Sequence, residues 1–390
     1  MTERVAIIGA GLAGSEAALV LGRMGIQVSL YEMRPDTKTP AHKTDLPAEL
    51  VCSNSMKSLE LPSAHGLLKH ELQLLDSPLV KTAIENRIPA GSALAVDRKI
   101  FSEAILEQIH ACGHIELIRK ELDAPPEDHP FCIIAAGPLA SSSIVKWLQD
   151  TASSQALSFY DAIAPVVSMD SIDTNIAFYA TRWEEGSTDY LNCPFNEEEY
   201  RRFYDALMEA DQVKAREFEK QRFFEACLPV EVVARRGYDA LRFGTMRPIG
   251  LSDPRTGKRP FAVCQLRRET ASAESWGLVG FQTRLNIAEQ KRVFSLIPGL
   301  EQADFLRFGS IHRNTYIHSP QVVEEDLSIR SNDSCFLAGQ LCGNEGYTES
   351  IATGHLVARF IAGRIKGRPV CPPPSTTALG ALLQYVTSSE

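Results

Sequence analysis

The chain has 390 residues, 44% of them hydrophobic and 23% charged, which is ordinary globular composition and more sequence than one core usually holds. No apolar run reaches the roughly 18 residues of a membrane helix, and the first strand starts near Arg4, which leaves no room for a secretory signal; a cytoplasmic protein with no membrane partner is expected. The net charge of −9 argues against a wholly basic nucleic-acid binder, yet Arg222 to Arg268 carries ten Arg or Lys against four Asp or Glu, which is either a local polyanion footprint or a solvated face.

In chain order, Arg4 to Gly9 (RVAIIG) reads as a buried parallel strand, Leu12 to Met24 as a helix and Gln27 to Glu32 (QVSLYE) as the next strand. Together they make one βαβ unit. Gly9, Gly11 and Gly14 form GxGxxG at the first turn. The first glycine permits the turn, the second lets backbone approach a pyrophosphate, and the third lets helix and strand pack closely. Ala10, Leu12 and Ala13 lie between and beside them, and the helix N-terminus faces the phosphates. Glu32, 18 residues after Gly14, stands where an acid accepts hydrogen bonds from a ribose. Strand, helix, strand and acid in order make this a dinucleotide site rather than an empty turn.

The segment Leu50 to Ser58 (LVCSNSMKS) is a polar loop around Cys52, a side chain that is either a nucleophile, a base, a protecting ligand or an inert buried thiol. Phe131 to Gly137 (FCIIAAG) is a further buried strand, bringing Gly137 to the same end of the sheet. Glu197 to Phe224 reads as one or two amphipathic helices, with Tyr200, Phe203, Tyr204 and Leu207 on the apolar face. Cys227 follows in FFEACLPVE: nearby Arg222, Arg235 and Arg236 favour its thiolate, and the helix C-terminus opposes it. After Pro229, glycines and prolines break the chain into short strand-like pieces. Gly309 to Pro320 (GSIHRNTYIHSP) is rich in donors and reads as a ligand-facing loop.

Cys335 to Gly354 (CFLAGQLCGNEGYTESIATG) gives a strand ending at Gly339, a glycine-rich turn through Gln340, Gly346 and Tyr347, and a helix from about Thr348. Such a turn makes a second nest of backbone amides. Elements from both ends of the chain then meet at one site, which suits FAD better than a simple nicotinamide dehydrogenase. The expected organisation is α/β: a glutathione-reductase-type FAD-binding Rossmann domain from 1–180 and 272–390, with a smaller α+β domain inserted at 181–271. Nine cysteines without CxxC pairing fit neither a zinc ribbon nor a disulfide framework, and with no HExxH and no EF-hand loop no metal is expected. The absence of GxSxG argues against a serine hydrolase.

These motifs, with YEMRP at Tyr31, ALAVDR at Ala93, FYDAIAPVV at Phe159, DYLNCP at Asp189, FGTMRPIGL at Phe243, VGFQT at Val279 and EQKRVFSLIPGLE at Glu289, run nearly end to end. In them the chain resembles the folate- and FAD-dependent tRNA (uracil-54-C5)-methyltransferases; LVCSNS, FFEACLPVE and HRNTY are the specific part. Departures are Thr245 in FGTM, the Leu341 to Asn344 turn and His318, and relatives usually run on past the position of Glu390. The resemblance implies methylation of uridine 54 in the T-loop of tRNA. Carbon would come from 5,10-methylenetetrahydrofolate and electrons from NADPH or NADH through FAD, with no protein partner required.

By motif position the resemblance makes Cys227 the nucleophile that attacks C6 and Cys52 the second thiol, a base or a shield for the activated flavin. Arg222, Arg235, Arg236, Arg242 and Arg247 are expected phosphate contacts. Three alternatives stay open: the same chemistry on ribosomal RNA, modification of a wobble uridine with a partner protein, and a non-catalytic FAD-binding RNA-interacting protein.

Overall fold

The computed structural model describes residues 4–152, 156–184, 186–213, 228–368 and 370–388. The chain begins β1 (Arg4–Ile8), α1 (Leu12–Arg23) and β2 (Gln27–Glu32). A long excursion follows: β3 (Ser55–Ser58), α2 (Ala64–Leu74), α3 (Pro78–Glu85), β4 (Arg87–Ile88), β5 (Ala93–Val96) and α4 (Arg98–Ala111). The chain returns through β6 (Ile115–Arg119), β7 (Phe131–Ile134) and α5 (Ser142–Ala152), then leaves along β8 (Ala156–Ile163). Next come β9 (Val166–Ser168), β10 (Phe178–Tyr179), β11 (Tyr190–Phe195), α6 (Glu197–Glu209), α7 (Val230–Ala234), α8 (Ala240–Phe243), β12 (Ala262–Arg268), β13 (Ser275–Leu278), α9 (Ile287–Phe294) and β14 (Phe305–Arg307). β15 (Ser310–Ile317) leads back to β16 (Ser328–Ile329), β17 (Asn332–Leu337), α10 (Tyr347–Ile365) and α11 (Ala378–Thr387).

The first sheet has the order β16-β17-β7-β1-β2-β6, parallel except for β16. Its central strands are apolar along their length because both faces are covered, with Val5, Ala6, Ile7 and Ile133 fully buried. Helix α1 is buried almost all round because α10 packs against it at close range. A Cβ on Gly354 of α10 would lie 2.2 Å from the Ala13 carbonyl oxygen. Inside this contact His355 Nδ1 meets Glu16 Oε1 at 2.8 Å, and Glu16 Oε2 accepts from the Leu79 amide at 3.0 Å.

The second sheet, β10-β11-β12-β13-β9-β14, is antiparallel throughout. Two of its six strands, β11 and β12, lie wholly inside 181–271 and the others come from both sides of that span. Its core takes in Val167, Phe294 and Leu300 as well as Phe195, Tyr200 and Trp276. β8 and β15 pair as a two-stranded ribbon between the two sheets in the chain path.

Of the one or two amphipathic helices expected over Glu197–Phe224, α6 starts on a capping box of Asn196 and Glu199, buries Tyr200, Phe203 and Leu207 and ends at Glu209; residues 214–224 lie outside the described residues. Two local expectations change. The pieces expected to be strand-like after Pro229 include two short helices, α7 and α8. Burial of Val230, Ala234 and Leu241 in the second core outweighs the β preference of the Val-rich run. The polar loop expected at Gly309–Pro320 is mostly strand β15. Ile311, Thr315 and Ile317 alternate with His312, Asn314 and Tyr316, the period of two that a strand requires.

Candidate functional site

The carboxyl ends of β1, β2, β7 and β17 open on one cleft of ≈ 1030 Å³, mouth included. β1 lies between β2 and β7, so the chain leaves it in opposite directions across the sheet, and a doubly wound sheet binds its ligand in the crevice outside such a strand. Of the residues expected at a dinucleotide, Gly9, Gly11, Leu12, Ala13, Glu32, Gly137, Gly339, Gln340 and Tyr347 line this cleft. Ala10 is buried behind them, Gly14 packs inward, and Gly346 is the N-cap of α10.

The three glycines of the first turn divide the work as their spacing predicts. Gly9 has φ +102°, and a Cβ there would lie 2.5 Å from the Ala135 carbonyl oxygen. A Cβ on Gly14 would lie 1.8 Å from the Gly9 carbonyl oxygen, so helix and strand touch backbone to backbone. A Cβ on Gly11 meets nothing within 4 Å. The space it leaves is at the N-terminus of α1, which has no side-chain cap.

Glu32 is in the cleft wall but is already engaged. Oε1 accepts from the Arg34 amide and Nε, both at 3.0 Å, and Oε2 accepts from the Ala10 amide at 3.1 Å and Arg34 Nη2 at 3.2 Å. Those four bonds use the acceptor capacity of a carboxylate, so a ribose hydroxyl would have to displace one of them. Burial alone would raise the Glu32 carboxyl; the hydrogen bonds and charge of Arg34 outweigh it and hold it below its ordinary value. Arg34 Nη1 also reaches Glu49 Oε2 at 3.1 Å. His42, on the same wall, is pushed down to about 4 by burial and then by Arg34, and its Nδ1 lies 2.6 Å from Thr39 Oγ1. Arg34, His42 and Glu49 were not singled out from the sequence, although YEMRP contains the first of them.

Cys52 sits beside the cleft, next to the lining residue Val51. The amides of Cys52 and Ser53 donate to the Tyr347 phenol oxygen at 2.9 and 3.1 Å, and Cys52 Sγ is 3.6 Å from the Ala162 carbonyl oxygen. From the other side, Arg267 Nη2 donates to Ser53 Oγ at 2.8 Å and Arg267 Nε to Asn54 Oδ1 at 3.0 Å. The cysteine loop is therefore clamped between α10 and β12. Arg307 stands close enough to feel Cys52 and Tyr347; burial, then the neighbouring Arg98, pushes its guanidinium down to about 10. Sequence reading did not single out Arg98 or Arg307, because they lie on α4 and β14, remote in the chain from Cys52.

Cys227 and Arg222 lie outside the described residues. Arg235 and Arg236 are exposed at the end of α7, Arg247 is exposed, and Arg242 is half-buried over the Phe261 ring at 4.0 Å. His312, on β15, is lowered by burial and then by Lys43, and its Nε2 lies 3.0 Å from Ser310 Oγ. Among the described residues no group of three or more His, Cys, Asp or Glu is placed to hold a metal, and no helix is long and apolar enough to cross a membrane.

A mostly parallel sheet with glycine turns at the ends of β1, β7 and β17 defines a dinucleotide-binding α/β protein, and known proteins narrow that class. The chain belongs to the family described as glucose inhibited division protein A, whose model matches residues 4–369. It is 50% identical over 391 residues to "Methylenetetrahydrofolate--tRNA-(uracil-5-)-methyltransferase TrmFO" of Aquifex aeolicus, covering 100% of this chain and 87% of that one. The protein of the same name from Myxococcus xanthus is 50% identical over 387 residues, covering 99% and 84%. Among solved structures, Aquifex aeolicus GidA in its form II crystal superposes with a TM-score of 0.74 at 15% identity, covering 99% of this chain and 68% of that one, which is a likeness of fold.

Proposed function

We propose that this chain methylates C5 of uridine 54 in the T-loop of tRNA, taking the carbon from 5,10-methylenetetrahydrofolate and the electrons from NADPH or NADH through FAD. The observation that carries the reading is the cleft itself, built from both ends of the chain, with a cysteine loop clamped beside it. The name shared by the relatives at 50% identity supports the same chemistry. A cytoplasmic location fits a tRNA substrate.

The cleft fits FAD. The open space at Gly11 and the uncapped start of α1 would take the pyrophosphate, with Gly9, Ala10, Leu12, Ala13 and Gly14 shaping that turn. Gly137, Gly339, Gln340, Gly346 and Tyr347 would hold the rest of the cofactor, and Glu32 would reach a ribose only by exchanging a bond with Arg34. When bound, FAD supplies the redox chemistry that brings the folate carbon to the methyl level.

The protein's own groups must make the uracil reactive. A thiolate adds to C6, which gives C5 the character of an enolate carbon. C5 then bonds to the one-carbon unit, a base removes the C5 proton as the carrier nitrogen leaves that carbon, and the thiolate leaves C6 once the exocyclic methylene has gained the hydride equivalent that NADPH or NADH would supply through the flavin. By its motif Cys227 is the adding thiolate. Cys52 is the second thiol, a base or a shield for the activated flavin, on the loop that Tyr347 and Arg267 hold beside the cleft. We further propose that the inserted unit is wider than 181–271 and is bounded by the β8–β15 ribbon.

The decisive assay incubates the purified protein with a T-arm RNA hairpin, methylenetetrahydrofolate and NADPH, and digests the RNA for nucleoside analysis. We expect 5-methyluridine from the hairpin and none from a ribosomal RNA fragment. Flavin-loaded protein that forms no 5-methyluridine overturns the reading. Trapping the covalent RNA adduct assigns the thiols: Cys227→Ala should abolish it. An adduct that survives Cys227→Ala but not Cys52→Ala reverses the two roles.

A further inference from the structure

Beyond the N-terminal end of β12 the surface carries large apolar side chains that a soluble protein ordinarily hides. Trp183 is 77% exposed, Phe243 69% and Ile249 44%. They form one patch. Phe243 and Ile249 line a shallow pocket with Pro248 and Phe261, and the Trp183 ring lies against Gly250, where a Cβ would come within 2.9 Å of the indole. The rings are held in place from behind: Arg242 lies over both Phe261, at 4.0 Å, and Phe243, at 5.3 Å.

The rim of the patch is cationic. Arg247, Lys258 and Arg259 are exposed, and among the described residues no ion pair joins any of them to a carboxylate. Of the nearby acids, Asp239 pairs with Arg242 and Asp253 with Arg255, while Glu184 beside Trp183 is exposed. An apolar protein partner would not call for such a rim. Flat π-faces beside such cations suit a nucleic acid, whose bases stack while its phosphates take the charge. β12 ties the patch to the cleft. Its first residue, Ala262, follows Phe261 in the patch, and Arg267 near its end holds Ser53 and Asn54 beside Cys52. Seven residues of strand put the two about 20 Å apart.

We propose that Trp183, Phe243 and Ile249 form a second contact for the substrate RNA, on which an unpaired base stacks while Arg247, Lys258 and Arg259 take the flanking phosphates. This rests on the methyltransferase reading and adds to it a place where the RNA is gripped away from the reacting uracil. The contact acts on binding and register, since neither ring reaches the cleft.

The test measures the affinity of a fluorescein-labelled T-arm hairpin for the FAD-loaded protein by anisotropy, with flavin absorbance and the melting temperature followed alongside. Trp183→Ala and Phe243→Ala should each weaken binding about fivefold or more, with flavin content and melting unchanged. Phe243→Tyr, which keeps the π-face, should bind like the parent, and R247Q or R259Q should each lower the slope of log affinity against log salt by about one, the change expected when one phosphate is no longer neutralised. Alanine variants that bind as tightly as the parent overturn the proposal, as does a Tyr variant that loses as much as the Ala variant. A parent protein that methylates the hairpin while the alanine variants bind it normally sinks this contact alone. A parent that neither binds nor methylates it sinks the methyltransferase reading as well.

Discussion

Arg34 is the residue on which the wall of the cleft turns. It is 4% exposed and neutralises Glu32 and Glu49, themselves 6% and 10% exposed. Removing one partner of such a group strands buried charge, which costs about 3–5 kcal/mol. Arg34→Gln should lower the unfolding free energy measured in urea by that amount, and a variant that unfolds like the parent would show that water reaches the two acids. His42 sets a pH dependence on the same wall. Its folded value of about 4 lies below the ordinary 6.5, so the unfolded chain binds that proton more tightly. Its contribution to stability is therefore complete above pH 6.5 and is lost as pH falls through the interval down to about 4. Stability measured across that interval should decline with acid, and His42→Gln should flatten the decline.

At the scale of elements, the β1–α1 turn separates two jobs that one motif holds together. Gly14 sits where a methyl group would press on backbone, and Gly11 where it would meet empty cleft. Gly14→Ala should lower the melting temperature. Gly11→Ala, at a φ of −71° that alanine adopts freely, should melt like the parent yet retain less FAD after gel filtration. Equal FAD content in Gly11→Ala and parent would place the pyrophosphate elsewhere.

Across the whole molecule, the cysteine loop is one place where the two sheets are joined: α10 of the first holds it through Tyr347, and β12 of the second through the Arg267 side chain and the Arg268 carbonyl oxygen, which accepts from Asn54 Nδ2 at 2.8 Å. Arg267→Ala removes two of the hydrogen bonds on the β12 side without touching the cleft wall. Displacing a reacting group by about 1 Å can cost about a hundredfold in rate. We expect 5-methyluridine formation to fall by about tenfold to a hundredfold while bound flavin stays constant, and an unchanged rate would show that the loop is positioned without the Arg267 side chain.

What the sequence determined by itself was whatever its own local order encodes. GxGxxG between an apolar strand and a helix places the first turn, since steric limits at Gly9 and Gly14 act between near neighbours. The apolar runs at β1, β7 and β17 announce strands buried on both faces. The same local reading failed where distant packing decides: Val230–Ala234 became a helix and His312–Ile317 part of a strand. Only the tertiary structure decided that Arg34 occupies the acceptors of Glu32, and that Arg98 and Arg307 share the surroundings of Cys52. Only it drew Trp183 and Phe243 onto one surface. Charge and burial act through space at a few ångströms, and these residues are brought within that range by sheet topology and not by their spacing along the chain.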